Sequence, residues 1–323
     1  MNVRFIGRHV IKDGREYFSY SGCGFEFVVI PDSKDCSTEI KLTSIIKGHE
    51  DHYVAIFVND VFCRNERLLP GPNKITVQLD KKAVVRIIKL NEGYLSAIYL
   101  DDIILHNGIM GEIEPSNRKL VGFFGDSITC GYGLLGYHEN VFKTETEDFT
   151  KSYAYLSCFA ANMDYSVVAR SGISISIRIY QAMAFEEIYD TVDMFEKCRE
   201  DRKLNFAVIN LGTNDNNGYR EIVKDEDKQQ ALQTFKKKYI ELGERIIKDN
   251  PGVKLILCYD MIELLPEFVN ALKEIHQYLC ENFENKCKLL QFKSNMDGAN
   301  FHPYKTAHEE SAQLLTQTLK ELK

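Results

Sequence analysis

The hydrophobic pattern changes character part-way along the chain. Up to about residue 110, short segments rich in β-branched and aromatic residues follow one another: FEFVVI (25–30), EIKLTSI (39–45), HYVAIFV (52–58), NKITVQL (73–79), AVVRIIKL (83–90) and YLSAIYL (94–100). Turn material separates them at Asn59-Asp60, Pro70-Gly71-Pro72 and Asn91-Glu92-Gly93. Many short strands with no helical period between them predict an all-β domain of the sandwich or jelly-roll kind.

A polar link, Ile113-Glu114-Pro115-Ser116-Asn117-Arg118, marks the change. Beyond it come near-continuous apolar runs: LVGFFG (120–125), YSVVAR (165–170), FAVINLG (206–212), VKLILCYD (253–260) and KLLQF (288–292). Such runs suit parallel strands covered on both faces. Between them, Leu232, Phe235, Tyr239, Leu242 and Ile246 recur at spacings of three and four, as do Phe268, Leu272, Ile275 and Leu279. Each set is one face of a helix, the first ended by Asn250-Pro251-Gly252. The expected architecture is therefore a β-sandwich (jelly-roll) domain over 1–112 and an α/β domain with a parallel sheet over 113–323. In such sheets ligands sit beyond the carboxyl ends of the strands.

Composition narrows the possibilities. A chain of 323 residues, 44% hydrophobic and 27% charged, can bury two cores and is not disordered as a whole. A net charge of −7 argues against nucleic acid as the partner. No apolar run approaches the roughly 20 residues that span a bilayer, which argues against a membrane partner. The first residues, MNVRFIGRHVIKDGREYF, lack the apolar core of a signal peptide. The nine cysteines are odd in number and scattered, with no CxxC, which argues against a disulfide framework and against a zinc site. A reduced, cytoplasmic protein is the expectation. There is no tryptophan, so aromatic contacts to a ligand fall to 17 Tyr and 19 Phe.

Candidate chemistry gathers at strand ends. In GFFGDSITCGYG (122–133), Ser127 follows a strand and precedes a glycine-rich stretch. A serine there is exposed as a nucleophile, though serine also caps helices. In ARSGISIS (169–176), Gly172 lets a backbone N–H approach a ligand, and equally suits an ordinary turn. In INLGTNDNN (209–217), the Asn214 amide can donate to an oxyanion, or simply serve a capping cluster. Near the carboxyl terminus, His302 precedes Pro303 on the loop before the last helix, where it can act as a general base; His308, inside that helix, reads as a surface residue. Asp126 and Asp215 read as organisers of their own loops.

Taken together, GDSIT, SG, GTND and a late HP resemble the four blocks of the SGNH (GDSL-type) hydrolase superfamily, over roughly residues 118–323. SYSGCGFEFVV (19–29) ahead of GDSITCGYG further resembles carbohydrate esterase family 2, whose members join a small jelly-roll domain to an SGNH domain and deacetylate saccharides. The resemblance implies a three-layer α/β/α SGNH-hydrolase domain and a serine esterase acting on acetylated mono-, oligo- or polysaccharides. It implies Ser127 as nucleophile, His302 as base, and an oxyanion hole of Ser127, Gly172 and Asn214, with no metal or cofactor. One position departs from the pattern. Many members carry an Asp three residues before the histidine; here that residue is Ala299, with Asn300 two before and Asp297 five before. Either Asp297 completes a triad, or a backbone carbonyl orients His302 in a Ser–His dyad. Tyr132, Tyr137 and Tyr304 neighbour the motifs as possible sugar platforms, and the polar segment 137–151 is expected to border the cleft. The rival readings are an esterase of short acyl esters that are not sugars, and a non-catalytic carbohydrate-binding protein, which would need no nucleophile.

Overall fold

The computed structural model describes residues 2–48, 51–179, 183–283 and 287–322. The first part holds two antiparallel sheets. One orders its strands Arg4–Ile6, Gly24–Pro31, Ala83–Lys89, His52–Val58 and Val61–Leu68, with Gly108–Gly111 also on Gly24–Pro31. The other runs Val10–Lys12, Arg15–Phe18, Ser96–His106, Cys36–Ile46 and Gly71–Leu79.

Strand alternation gives the first sheet two buried faces. Val54, Ile56, Val85 and Ile87 share a core with Ile40, Leu42, Ile98 and Leu100 of the second sheet. Their neighbours Ala55, Phe57, Ile88 and Leu90 point the other way and pack with Phe149, Tyr155 and Tyr165 of the α/β part. The two parts are thus joined through a sheet face. Contact is close at Gly22, where the backbone takes φ +79 and an added Cβ would lie 2.4 Å from the Phe149 ring. The Gly22 carbonyl accepts from Tyr165 Oη at 3.0 Å.

All six expected strands of this part are present, His52–Val58 with the expected ends and the other five with shifted ones. The strand Val61–Leu68 was not expected, because VFCRNERL is polar and mostly exposed. It is an edge strand, whose outward polar and charged side chains discourage further pairing. It forms because Asn59 and Asp60 both take positive φ (51 and 63), the two-residue turn that matches strand twist.

The second sheet region begins at Leu120 after an irregular link. Its five parallel strands run in the order Asp164–Ala169, Leu120–Gly125, Phe206–Asn210, Lys254–Tyr259 and Cys287–Gln291. Val121, Phe123, Ile256 and Cys258 pack with residues of the helices Tyr153–Ala161 and Lys305–Glu321. Phe124, Leu255 and Leu257 pack with the helices Lys228–Asp249 and Pro266–Asn282. The result is the expected three-layer α/β/α arrangement. Sequential strands run outward in opposite directions from Leu120–Gly125, so a crevice opens beyond its carboxyl end.

Candidate active site

Sheet register brings the first three motifs level. Gly125 pairs with Ala169 on one side and with Asn210 on the other. Ser127, Gly172 and Asn214 follow these three strand ends by a few residues each. Ser127 opens a single helical turn, Ser127–Cys130, whose cap is Asp126: its carboxylate accepts from the Ile128 N–H at 3.0 Å. Asp126 is fully enclosed, and burial raises its carboxyl to about 7. Gly172 takes φ +74 in open space, and is exposed. The Asn214 amide donates one N–H to the Ile173 carbonyl at 2.8 Å, which fixes its plane and leaves a second N–H.

The candidate base comes from the far end of the chain. His302 Nε2 lies 2.9 Å from Ser127 Oγ. Its Nδ1 lies 3.0 Å from the Asn300 carbonyl oxygen, and Asn300 sits in the left-handed region (φ 51, ψ 42). A carbonyl can only accept, so Nδ1 carries the proton and Nε2 is free to accept from the serine. Burial lowers the His302 pKa to about 4, partly opposed by the Asn300 hydrogen bond. The imidazole is therefore neutral at neutral pH, the state a base needs. Asp297 is elsewhere: it is exposed, and its carboxylate accepts from the Asn295 amide at 2.6 Å.

The loop carrying His302 rests on the glycine-rich stretch after the serine. The Ala299 N–H donates to the Gly133 carbonyl at 2.9 Å, and the Lys305 N–H to the Leu134 carbonyl at 3.0 Å. Gly133 takes φ +67, and a Cβ there would meet the Ala299 oxygen at 2.7 Å. The glycines of GYG thus allow the His302 loop to sit against the Ser127 loop.

A cavity of about 480 Å³ opens on Ser127, His302 and Asn214. Its further lining includes Arg220, Glu263, Leu265, Met296 and Phe301. Phe301, 59% exposed beside the base, was not singled out from the sequence. Its only signal there was adjacency to His302. The three tyrosines lie outside this lining. Tyr132 packs on the His302 ring (centroids 4.2 Å apart) and on Phe142 (3.8 Å), and Tyr304 stacks on Tyr137 at 5.6 Å. Another cavity of about 450 Å³ lies at the junction of the two parts. Among its charged residues Arg4 and Arg86 pair with Glu26 and Arg202 pairs with Asp164, and none of the four sequence motifs reaches it.

Three expectations need correction. His308 is fully buried, and its Nδ1 accepts from the Tyr153 N–H at 3.2 Å; it ties the last helix to the helix Tyr153–Ala161. Asp215 organises a neighbouring loop rather than its own: its oxygens accept from the N–H groups of Ile175, Ser176 and Ile177 at 2.7–2.8 Å. Segment 137–151 contributes no residue to the cavity lining, and its Glu147, Asp148, Phe149 and Thr150 are buried.

Residues 121–315 match the profile of the GDSL-like lipase/acylhydrolase family. The chain belongs to this family. By class it is a carboxylic ester hydrolase. Similar solved structures span its whole length. A family two carbohydrate esterase from Clostridium thermocellum, solved in complex with cellohexaose, has a TM-score of 0.87 at 19% identity, covering 99% of this chain and 98% of that one. A carbohydrate esterase family 2 enzyme from Corynascus thermopiles has 0.84 at 21%, covering 99% of both chains. An acetyl xylan esterase from Butyrivibrio proteoclasticus has 0.85 at 19%, covering 99% and 95%. Comparison with curated protein sequences finds no match. Among the described residues, no helix is long and apolar enough to cross a membrane.

Proposed function

We propose that this protein is a serine esterase that removes acetyl groups from acetylated saccharides through an acetyl-enzyme on Ser127. The observation that carries the chemistry is the Ser127–His302 contact at 2.9 Å, with the Asn300 carbonyl behind the imidazole. Ser127 Oγ attacks the acetyl carbonyl as His302 Nε2 takes its proton. The oxyanion rests on the backbone N–H groups of Ser127 and Gly172 and on the free Asn214 amide N–H. Collapse breaks the ester bond, and His302 returns the proton to the departing sugar oxygen. Water, deprotonated by the same imidazole, then releases acetate and restores Ser127. Acid–base help of this kind is worth about 10²- to 10⁴-fold, and each oxyanion donor about 10²- to 10³-fold. The site works as a dyad: the Asn300 carbonyl does for Nδ1 what an aspartate does in a triad.

The saccharide reading rests on likeness along the full length to carbohydrate esterases, including the β part, which we read as a jelly-roll-like accessory domain. In this chain, which lacks tryptophan, the exposed Phe301 ring at the cavity mouth offers a sugar platform. The nine unpaired thiols suit a reducing compartment. The test is acetate release from acetylated xylo-, manno- and gluco-oligosaccharides, measured beside simple aryl acetates, with Ser127→Ala as control. Hydrolysis that survives Ser127→Ala defeats the mechanism. Turnover of aryl acetates with none of the saccharides defeats the substrate class.

A further inference from the structure

A buried polar knot lies behind the oxyanion loop, outside the mechanism above. It is built by the Lys89–Gly93 turn of the β part. Glu92 is fully buried, and its carboxylate accepts from both the N–H of Ser171 (2.6 Å) and the Ser171 hydroxyl. Ser171 is the residue before Gly172. The same carboxylate lies 3.9 Å from the Cys130 thiol, in the turn that Ser127 opens. One side chain of the β part therefore touches both the nucleophile turn and the oxyanion loop.

The turn that presents Glu92 is itself held from both sides. The buried Lys89 amino group donates to the carbonyls of Asn91 and Glu92. The Asn91 amide donates to the Thr144 carbonyl at 2.8 Å and accepts from the Tyr53 N–H at 2.7 Å. Glu147, also buried, faces Glu92 closely enough that their carboxylates and the Cys130 thiol lie within 4.8 Å of one another. Burial, then the Glu92 charge, push Glu147 well above the usual carboxylate range. Burial raises Glu92 too, but the two hydrogen bonds from Ser171 oppose that rise, so of the two carboxyls Glu92 holds negative charge more readily. Enclosing a carboxylate is costly, and a neutral side chain could fill the space. What the charge adds is two short, strong hydrogen bonds with fixed direction, both spent on Ser171.

We infer that Glu92 is a positioning residue for catalysis, contributed by the β part, which holds Ser171 so that the Gly172 N–H points at the oxyanion. This rests on the Ser127 and Gly172 roles proposed above. Beyond Gly172 the loop is held by the Asn214 amide on the Ile173 carbonyl; Gly172 itself has a positive φ and open space where a Cβ would stand, so on its amino-terminal side Ser171 is the anchor. A displacement of about 1 Å at such a donor costs on the order of 10²-fold in rate.

The experiment is steady-state hydrolysis of an aryl acetate by the full chain, which does not depend on the saccharide reading. For Glu92→Ala the expected result is a fall in kcat of about 30- to 300-fold with KM within about threefold, because a donor used mainly in the transition state is misplaced. Glu92→Gln keeps one accepting oxygen and should recover at least a third of the loss on a logarithmic scale. Ser171→Ala keeps the N–H and loses the hydroxyl bond; kcat should fall about three- to tenfold at nearly unchanged melting temperature. A folded Glu92→Ala protein with kcat within threefold of the parent overturns the inference. So does a Glu92→Gln variant no better than Glu92→Ala, since glutamine restores both the volume and one accepting oxygen. Should Glu92→Ala fail to fold, Ser171→Ala decides, and unchanged kcat there overturns it. Hydrolysis that persists in Ser127→Ala would instead defeat the proposed function.

Discussion

Replacing Asp297 with alanine separates a dyad from a triad. In a triad, the carboxylate behind the histidine is worth about 10⁴ in kcat, or roughly 5.5 kcal/mol of transition-state stabilisation. Here the partner of His302 Nδ1 is the Asn300 carbonyl at 3.0 Å, while the Asp297 carboxylate is exposed and holds the Asn295 amide. Asp297→Ala leaves its own backbone carbonyl, which accepts from the His138 N–H, in place. What goes is one exposed hydrogen bond within the base loop, worth about 1 kcal/mol at most. The expected loss in kcat is therefore no more than about fivefold, with KM and melting temperature nearly unchanged. The acid limb of the kcat/KM profile should stay where it is in the parent, because the group setting it keeps its partner. The assay is aryl acetate hydrolysis over pH 3.5–8, with His302→Ala as the reference for loss of the base. A loss of several hundredfold in a folded Asp297→Ala protein would refute the dyad, as would an acid limb displaced by a unit or more.

Three further outcomes follow from the same structure. His52, His302 and His308 are lowered by burial to about 3, about 4 and about 3, so each is neutral when folded and titrates near 6.5 when unfolded. The unfolded chain then binds more protons below pH 6.5, and stability unaffected by these groups at pH 8 should fall steadily from pH 6.5 to pH 4; urea midpoints across that range check it, and His308→Asn should make the fall shallower. Gly133→Ala forces a Cβ to 2.7 Å from the Ala299 oxygen at a positive φ, so the base loop must move; kcat should drop about 10²-fold, and an unaltered rate would show that the contact does not place His302. Phe301→Ala should raise KM for an acetylated oligosaccharide about five- to tenfold while leaving aryl acetate kinetics within twofold, and equal effects on both substrates would remove Phe301 as a sugar platform.

Ser127, Gly172, Asn214 and His302 could be picked out of the sequence because each is local: a small or polar residue just past an apolar run, or a histidine before a proline shortly ahead of the last helix, which starts at Lys305. A parallel sheet turns such local marks into one place, since Gly125, Ala169 and Asn210 end level with one another. Long-range partners leave no such mark. The burial of His308 depends on the Tyr153 N–H, 155 residues away in the chain. A histidine among Glu309, Glu310 and Lys305 reads as surface until that partner is known. The strand Val61–Leu68 fails the apolar test for the opposite reason: its pairing is decided by the positive φ of Asn59 and Asp60 and by one neighbouring strand, not by burial. Phe301 is one residue from the base, yet only its exposure at the cavity mouth separates it from the other phenylalanines.

The polar link between the two parts of the chain marks a change of pattern, but the packing does not make it a line of independence. A sheet of the β part places Ala55, Phe57, Ile88 and Leu90 against Phe149, Tyr155 and Tyr165, so removing either part would uncover a large apolar face on the other. The alternation of HYVAIFV already contained this second face: Tyr53, Ala55 and Phe57 are as apolar as Val54, Ile56 and Val58, where a strand with one wet side would alternate with polar residues. Turns at the end of such a sheet can lie beside the strand ends of its neighbour. The Lys89–Gly93 turn does so, and carries a buried carboxylate to Ser171. A face that seals the hydrolase part is therefore also one that can hold the Ser171–Gly172 loop, proposed above to face the oxyanion. That gives the covalent joining of the two parts a reason in the chemistry as well as in the packing.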